Sequence, residues 1–464
     1  MNYQEAMVYI QQITRFGINL GLSRMERLLA GLGNPQLNLS VVHVGGTNGK
    51  GSVCAMLSSI LKAAGFRVGL FTSPHLESYT ERFQVNGENI SQEEVARIIG
   101  MLRPQIEQMV MEGYEHPTEF EVSTALAFQY FKGSGVDLVV LEVGMGGNLD
   151  STNVIDPMVS IITNVSMDHE AILGNTLAEI AHTKAGIIKR GVPLVTAAEG
   201  EAWEVIWKEA RRLESSVVRV FPSPRIRDEQ AAPFRTVRLT ALRAKPASSQ
   251  AEGCKSQQLI SIQGLHQEYL ELGISLLGEH QGINAATAVA AIEVLQEQGI
   301  SVSNQDIFRG LADTAWPGRL EIVCQNPLIL LDGAHNPAGA RRLADFLGRD
   351  FSDYSIVLIL GILEDKDRSK IIQEIAPLAD AIIVTAPPGP RAGDWVEVAN
   401  QAERFTDKII LQERTLEALL AGIEIVRERQ QSGKKALLCV TGSLYLVGEA
   451  RGLLSSLTEK NRLF

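Results

Sequence analysis

Short apolar runs alternate with helical patterns through the first half of the chain. Runs rich in Val, Ile and Leu fall at 40–44, 68–71, 138–143, 159–163 and 193–196. They are short and almost uniformly apolar, which predicts strands covered on both faces. Between them, apolar positions recur every three or four residues over 51–64, 91–111, 119–132, 177–188 and 201–213, which predicts helices. Such alternation implies an α/β fold with a mostly parallel sheet. Ligands then gather at the carboxyl ends of the strands.

After position 216 the texture changes. Alternating runs at 217–221, 236–240 and 259–262 predict a small antiparallel patch. The stretch 244–256, rich in Ala, Ser, Gln and Lys, reads as an exposed loop. A helical pattern resumes over 281–298, and 300–317 reads as a join between domains. A second α/β series follows, with strands expected at 328–331, 356–360, 381–385, 408–411 and 436–440.

A length of 464 residues suggests about three domains, or two if they are large α/β units. With 43 basic and 54 acidic residues the formal charge is −11, which gives no support for nucleic-acid or anionic-membrane binding. An anionic substrate must therefore meet a locally positive pocket. Cys54, Cys254, Cys324 and Cys439 lie far apart without metal-ligand spacing, as expected of reduced thiols in a cytoplasmic protein. Residues 1–15 include Glu5 and no long apolar run, so no secretory signal is expected, and no stretch is long enough to span a bilayer. No oligomerisation segment stands out, and a monomer is the expectation.

The sharpest chemical signal is Val41 to Ser52, Val-Val-His-Val-Gly-Gly-Thr-Asn-Gly-Lys-Gly-Ser. A β-branched run, glycines, a lysine, a hydroxyl and then a helical pattern suit a strand, a phosphate-cradling loop and a helix N-terminus. Lys50 would neutralise a β- or γ-phosphate and Ser52 would touch Mg²⁺. Val44 and Gly51 stand where the usual P-loop spacing has glycine and a hydroxyl, so this is a variant loop.

Other candidates lie at strand ends. Glu142, followed by Val-Gly-Met-Gly-Gly, is placed to hold Mg²⁺ directly or through water. His169 could be a metal ligand, a general base or a loop histidine. Ser73, after the 68–71 run, could offer a hydroxyl to a cation. Lys184 reads as a surface lysine by itself, although small neighbours leave room for a group on its amine. In the second half, Asp332 could accept from ribose hydroxyls or simply shape a turn that also carries His335. Arg319 could clamp a phosphate or form an interdomain salt bridge. Ser443 opens the last helix, as a carboxylate site or an ordinary N-cap.

Taken together, these motifs resemble those of the folylpolyglutamate synthase and dihydrofolate synthase family of the Mur-ligase superfamily. The resemblance runs essentially end to end. Its carriers are 42–52, Thr72-Ser-Pro-His-Leu, Glu142-Val-Gly-Met-Gly-Gly, Asp150-Ser-Thr-Asn, Asp168-His169 and Lys184-Ala-Gly-Ile. Gly278-Glu-His-Gln with Asn284, Pro317-Gly-Arg319, Asp332-Gly-Ala-His-Asn-Pro and Thr441-Gly-Ser443 complete it. The resemblance implies a P-loop NTPase-like domain over 1–300 and a Rossmann-like, glutamate-ligase domain over 301–464. It implies that Asn48, Gly49, Lys50, Gly51 and Ser52 hold ATP phosphates, with Asn284, Arg319 and Asp332 also on ATP. Ser73, Glu142 and His169 would surround Mg²⁺, and Lys184 would match a lysine carbamylated in relatives. The pterin would meet Gly21, Leu22, Ser23 and Arg24, then Thr118, Glu119, Phe120 and Glu121, then Leu149, Asp150 and Ser151. His335 and Ser443 would meet the incoming glutamate. Relatives usually carry arginine at the place of Asn148 and often aspartate at that of Ser23, which touches the folate pocket and leaves the ATP apparatus intact.

The implied reaction is ATP-dependent amide formation through an acyl phosphate, with small-molecule substrates and with closure about 300–317. A cell-wall Mur ligase is the alternative within the class, but those enzymes usually carry an additional N-terminal uridine-binding domain, and here the P-loop begins by Val44. A P-loop kinase or nucleotide switch would not need the second α/β half with Arg319 and Asp332. A non-catalytic nucleotide-binding module is a third reading, against which Lys50, Glu142 and His169 stand together.

Overall fold

The computed structural model describes residues 1–221, 234–244 and 258–459. The strands of the first half are β1 (Val41–Gly45), β2 (Val68–Phe71), β3 (Phe83–Val85), β4 (Glu88–Asn89), β5 (Leu138–Glu142), β6 (Val159–Ile162), β7 (Leu194–Thr196), β8 (Val217–Phe221), β9 (Arg235–Ala244), β10 (Gln258–Gln263) and β11 (Glu268–Ile274). They form one sheet of eleven strands in the order β11-β10-β9-β8-β7-β6-β1-β5-β2-β3-β4. The centre, from β8 to β2, is parallel. β1 and β5 are buried at every position, because helices cover both faces. One face packs Val42, Val44, Val140 and Ile161 against helices Lys50–Ala63 and Glu279–Glu297. The other packs Val41, Val139 and Leu141 against Phe128, Leu126 and Ile99. Helix Glu279–Glu297 is buried nearly all round, and its alanines allow the close approach to Lys50–Ala63 and to the sheet.

The second half forms a sheet of six: β12 (Glu321–Gln325), β13 (Leu328–Leu331), β14 (Ser355–Leu360), β15 (Ala381–Val384), β16 (Ile409–Leu411) and β17 (Ala436–Thr441), in the order β12-β13-β17-β14-β15-β16. All pairings are parallel except β12 with β13. Among the described residues no helix is long and apolar enough to cross a membrane.

The α/β expectation holds, with two corrections. The run 217–221 does not belong to an antiparallel patch: β8 pairs parallel with both β7 and β9 and extends the main sheet. Antiparallel pairing begins only at β9 with β10 and β11; in β11 the burial changes phase at Glu271, where φ is +54°, so Tyr269 and Leu272 are buried while Leu270 is exposed. Second, the stretch 300–317 contains a helix, Asn304–Asp313, opened by a Ser303–Asp306 capping box. Its Ile307 and Leu311 belong to the core of the first sheet, and Gly310 lies against the Ile60 backbone. Most of the loop expected over 244–256 lies outside the described residues.

Candidate active site

The carboxyl ends of both sheets open onto one cleft of about 630 Å³. That is the size of a substrate pocket, with polar groups converging on apolar walls. The phosphate loop after β1 forms its floor. Gly49 holds a φ of +83°, and a Cβ there would stand 2.5 Å from the Asn284 amide oxygen. A Cβ at Gly51 would meet the Trp316 indole at 2.8 Å. Glycine at 51 thus has a steric cause: the ring occupies the space that a side chain there would need. Lys50 folds over the loop, its Nζ 3.3 Å from the Gly46 carbonyl and 3.2 Å from that of Thr47. Asn48 is tied in by Asn164, which accepts from its backbone N–H at 3.0 Å and donates to its carbonyl at 2.8 Å. Ser52 accepts from Gln281 at 3.3 Å, and Gln281 in turn accepts from Asn284 at 2.9 Å.

Glu142 ends β5, buried, with one carboxylate oxygen accepting from the Ser73 N–H at 3.2 Å. Burial raises its pKa, while Lys50, the Ser73 N–H and Arg319 pull the other way. Lys184 projects from helix Leu177–Ala185 and donates to the Gly46 carbonyl at 2.8 Å. It is no surface lysine, being only 5 % exposed. Burial, with Lys50 nearby, lowers its pKa from 10.5 to about 7. His169 adopts a left-handed conformation at φ +53° beside Asp168, and burial holds its pKa near 4.

The far wall comes from the second sheet. Asp332 caps its own turn, accepting from Leu320 and Ala334 N–H groups at 2.9 and 3.0 Å, with burial raising its pKa against the pull of Arg319. The His335 Nδ1 lies 2.7 Å from the Gly333 carbonyl, so Nδ1 donates and Nε2 is left as an acceptor. Burial lowers its pKa to about 4, leaving it neutral at pH 7. Ser443 N-caps the last helix by accepting from the Leu446 N–H at 3.1 Å.

Of the expected site residues, Leu22, Ser23 and Arg24 do not line the cleft; the others do. Ser23 is exposed at the start of helix Ser23–Gly31. Arg24 points into the wall, where its Nε donates to Glu121 at 3.1 Å and its NH1 to Glu115 at 3.2 Å, while NH2 reaches the Asn19 carbonyl. The Glu121 carboxylate also accepts from the Thr118 N–H and hydroxyl at 2.8 and 2.9 Å. The ion pair therefore sets the shape of the pocket wall. Asp150 is likewise spent within its loop, on the Met145 and Thr152 N–H groups at 2.8 and 3.0 Å. Glu119 accepts from Arg82 at 2.8 Å, and Phe120 packs on Gly144.

Sequence reasoning missed the contacts between lobes. Lys366, in the loop after β14, donates to Asp168 at 2.7 Å. Asn336 donates to Asn48 at 3.0 Å and to Asp168 at 3.1 Å. Although burial works against the charge, Lys366 and His169 hold the Asp168 carboxyl well below the usual range. The signal for Lys366 was Glu364-Asp-Lys-Asp at a strand end, a polar loop where ligands gather.

Residues 44–292 match the sequence model of the Mur ligase middle domain, and 318–444 match that of the Mur ligase glutamate ligase domain. The dihydrofolate synthase/folylpolyglutamate synthase of Bacillus subtilis (strain 168) is 36% identical, covering 97% of this chain and 98% of that protein. The solved folylpolyglutamate synthase of Mycobacterium tuberculosis, complexed with ADP and AMPPCP, superposes with a TM-score of 0.86 at 32% identity, over 97% of this chain and 99% of that one. A solved FPGS–AMPPCP–folate complex gives a TM-score of 0.76 at 30% identity, covering 98% of this chain and all of that one (100%). The chain belongs to the dihydrofolate synthase/folylpolyglutamate synthase family of ATP-dependent Mur-type ligases.

Proposed function

We propose that the protein joins L-glutamate to folates through an ATP-derived acyl phosphate, acting both on dihydropteroate and on tetrahydrofolate. One observation carries the reading: Lys50, Ser73 and Glu142 on one lobe share a cleft with His335 and Ser443 on the other. A phosphoryl group seated on the first lobe's phosphate loop and an amine on the second lobe then meet at an acid held between them. The first lobe, which includes helix Asn304–Asp313, takes the ATP phosphates, metal and pterin; the second presents the amino acid and adds Arg319 and Asp332 to the nucleotide.

The substrate carboxylate attacks the γ-phosphorus, giving acyl phosphate and ADP. Lys50 screens the charge that develops on the moving phosphoryl group. The amine then attacks the acyl carbon, phosphate leaves, and the amine sheds its proton. Neutral His335, with Nε2 as acceptor, can take a hydrogen bond from that amine. Asn48, Gly49, Gly51, Ser52, Asn284, Arg319 and Asp332 hold the nucleotide. Thr118, Glu119, Phe120, Glu121, Leu149, Asp150, Ser151 and Gly21 wall the pterin pocket.

The buried Glu142 carboxylate and the Ser52 and Ser73 hydroxyls line the cleft by the phosphate loop, and such hard oxygens suit Mg²⁺, which takes one or two carboxylates and keeps substrate oxygens. Glu142, with Ser73 beside it and His169 on the wall of the same cleft, would hold the ion, which supplies charge neutralisation when bound. Lys184, with its depressed pKa, offers the neutral amine that carbon dioxide requires, and a carbamate there would turn a repelled site into an anionic one. We further propose a cytoplasmic monomer.

The test supplies ATP, Mg²⁺ and glutamate with dihydropteroate or tetrahydrofolate in separate reactions and follows ADP and the amide. Glutamate-dependent ADP release is expected. Lys50→Ala and Glu142→Ala should abolish it, and normal turnover in either removes that residue's role.

A further inference from the structure

The cleft has two ends. Asn284, His280 and Arg342 mark one, beside the phosphate loop. At the other, helix Leu444–Glu459 packs its Gly448 against the Leu76 backbone, which sets Ser443 and Tyr445 beside the loop that begins at Ser73. This end also receives Arg391, a residue given no part in the reading above.

Arg391 is carried by a one-turn helix, Pro390–Ala392, held rigidly from behind. The Glu364 N–H donates to the Arg391 carbonyl at 2.9 Å. Arg368 donates to the Ala392 and Asp394 carbonyls, each at 2.6 Å, and to that of Ile362 at 3.1 Å. Gly393, at φ +53°, lies against the Glu364 carboxyl, so the turn is closed by a residue with no side chain. The guanidinium itself is steadied over the Tyr445 ring at 5.0 Å and donates to the Tyr445 hydroxyl at 2.7 Å. Its side chain is 50 % exposed, and the carboxylate it meets, Asp365, stands 3.8 Å away. Lys366 differs: it is buried and already paired with Asp168. Arg391 thus keeps donors to spare, in a fork that matches a carboxylate.

We propose that Arg391, oriented by Tyr445, binds the side-chain carboxylate of the incoming amino acid and selects glutamate over its uncharged analogue. The inference rests on the ligase reading above. The α-carboxylate shares a carbon with the reacting amine and must stay deep, near buried Ser443 and His335. The side-chain carboxylate lies several bonds farther out and reaches the rim, where Arg391 waits.

The experiment measures steady-state ligation with glutamate and with glutamine, which has the same length without the charge. In Arg391→Met, KM for glutamate should rise about 10- to 100-fold, the cost of a lost charge-assisted hydrogen bond. KM for ATP and for the folate acid should stay put, the preference for glutamate over glutamine should collapse, and Arg391→Lys should restore part of it. An unchanged glutamate KM, or a preserved preference, overturns the proposal. If Arg391→Met proves inactive, Tyr445→Phe decides: it should raise the glutamate KM alone, and no rise overturns the proposal. Absence of glutamate ligation by the unaltered protein would instead remove the ligase reading itself.

Discussion

Replacing Lys184 by methionine should stabilise the protein near neutral pH while ending ligation. Its amine is buried, and burial moves its pKa from 10.5 to about 7. The unfolded chain therefore holds a proton that the folded one gives up, between those two values. Stability must rise with pH across that window. Integrating the two titrations, the buried amine costs about 4 kcal/mol at pH 7 and about 2 kcal/mol at pH 9. Methionine removes this cost but takes away the nearer of the Gly46 carbonyl's two donors, at 2.8 Å against 3.3 Å for Lys50, a loss of about 1–3 kcal/mol. The net gain at pH 7 is then roughly 1–3 kcal/mol, shrinking by about 2 kcal/mol at pH 9. Urea unfolding of both proteins at both pH values, without nucleotide and with carbon dioxide excluded, gives the comparison. A difference in stability that does not change between pH 7 and 9 would refute the reasoning, because Lys184 would then not be losing its proton on folding. In the same preparations, isotope-labelled bicarbonate followed by NMR should reveal a carbamate signal that Lys184→Met lacks.

Arg24→Met should cost about 3–5 kcal/mol by leaving the buried Glu121 carboxylate without its cation. It should also raise KM for the folate acid more than KM for ATP, since it loosens the wall around Thr118; thermal melts and kinetics check both. Gly51→Ala should cost about 1–3 kcal/mol through its clash with the Trp316 indole, and a smaller ring at 316 in the double variant should recover part of that in melting experiments. His43, fully buried with its pKa lowered to about 3 by burial and then by Lys189, must stay neutral in the fold. Stability is therefore lost as pH falls below 6.5, by about 2 kcal/mol at pH 5 from this residue, and His43→Gln should show a correspondingly flatter urea-midpoint profile.

The central strands and the phosphate loop were legible because both rest on local signals. Buried parallel strands are near-continuous apolar runs, and a phosphate cradle needs glycine at fixed places. The roles of Arg24 and Lys366 were not legible, since a cation's role depends on what faces it across space. Arg24 faces Glu121, ninety-seven positions along the chain, and Lys366 faces Asp168 from the other lobe. The helix Asn304–Asp313 was missed because its apolar side is narrow, and its placement depends on Gly310 fitting the Ile60 backbone. The direction of β8 was misjudged for a related reason. Alternation reports which faces are wet, not which way the neighbouring strand runs.

Asn48 belongs to the phosphate loop, yet its side-chain oxygen is held by Asn336 of the second lobe. A swing parting the lobes would therefore have to break this bond and pull on the phosphate loop. On the ligase reading proposed above, letting go of ADP and opening a way out for the product would draw on the same hinge of contacts.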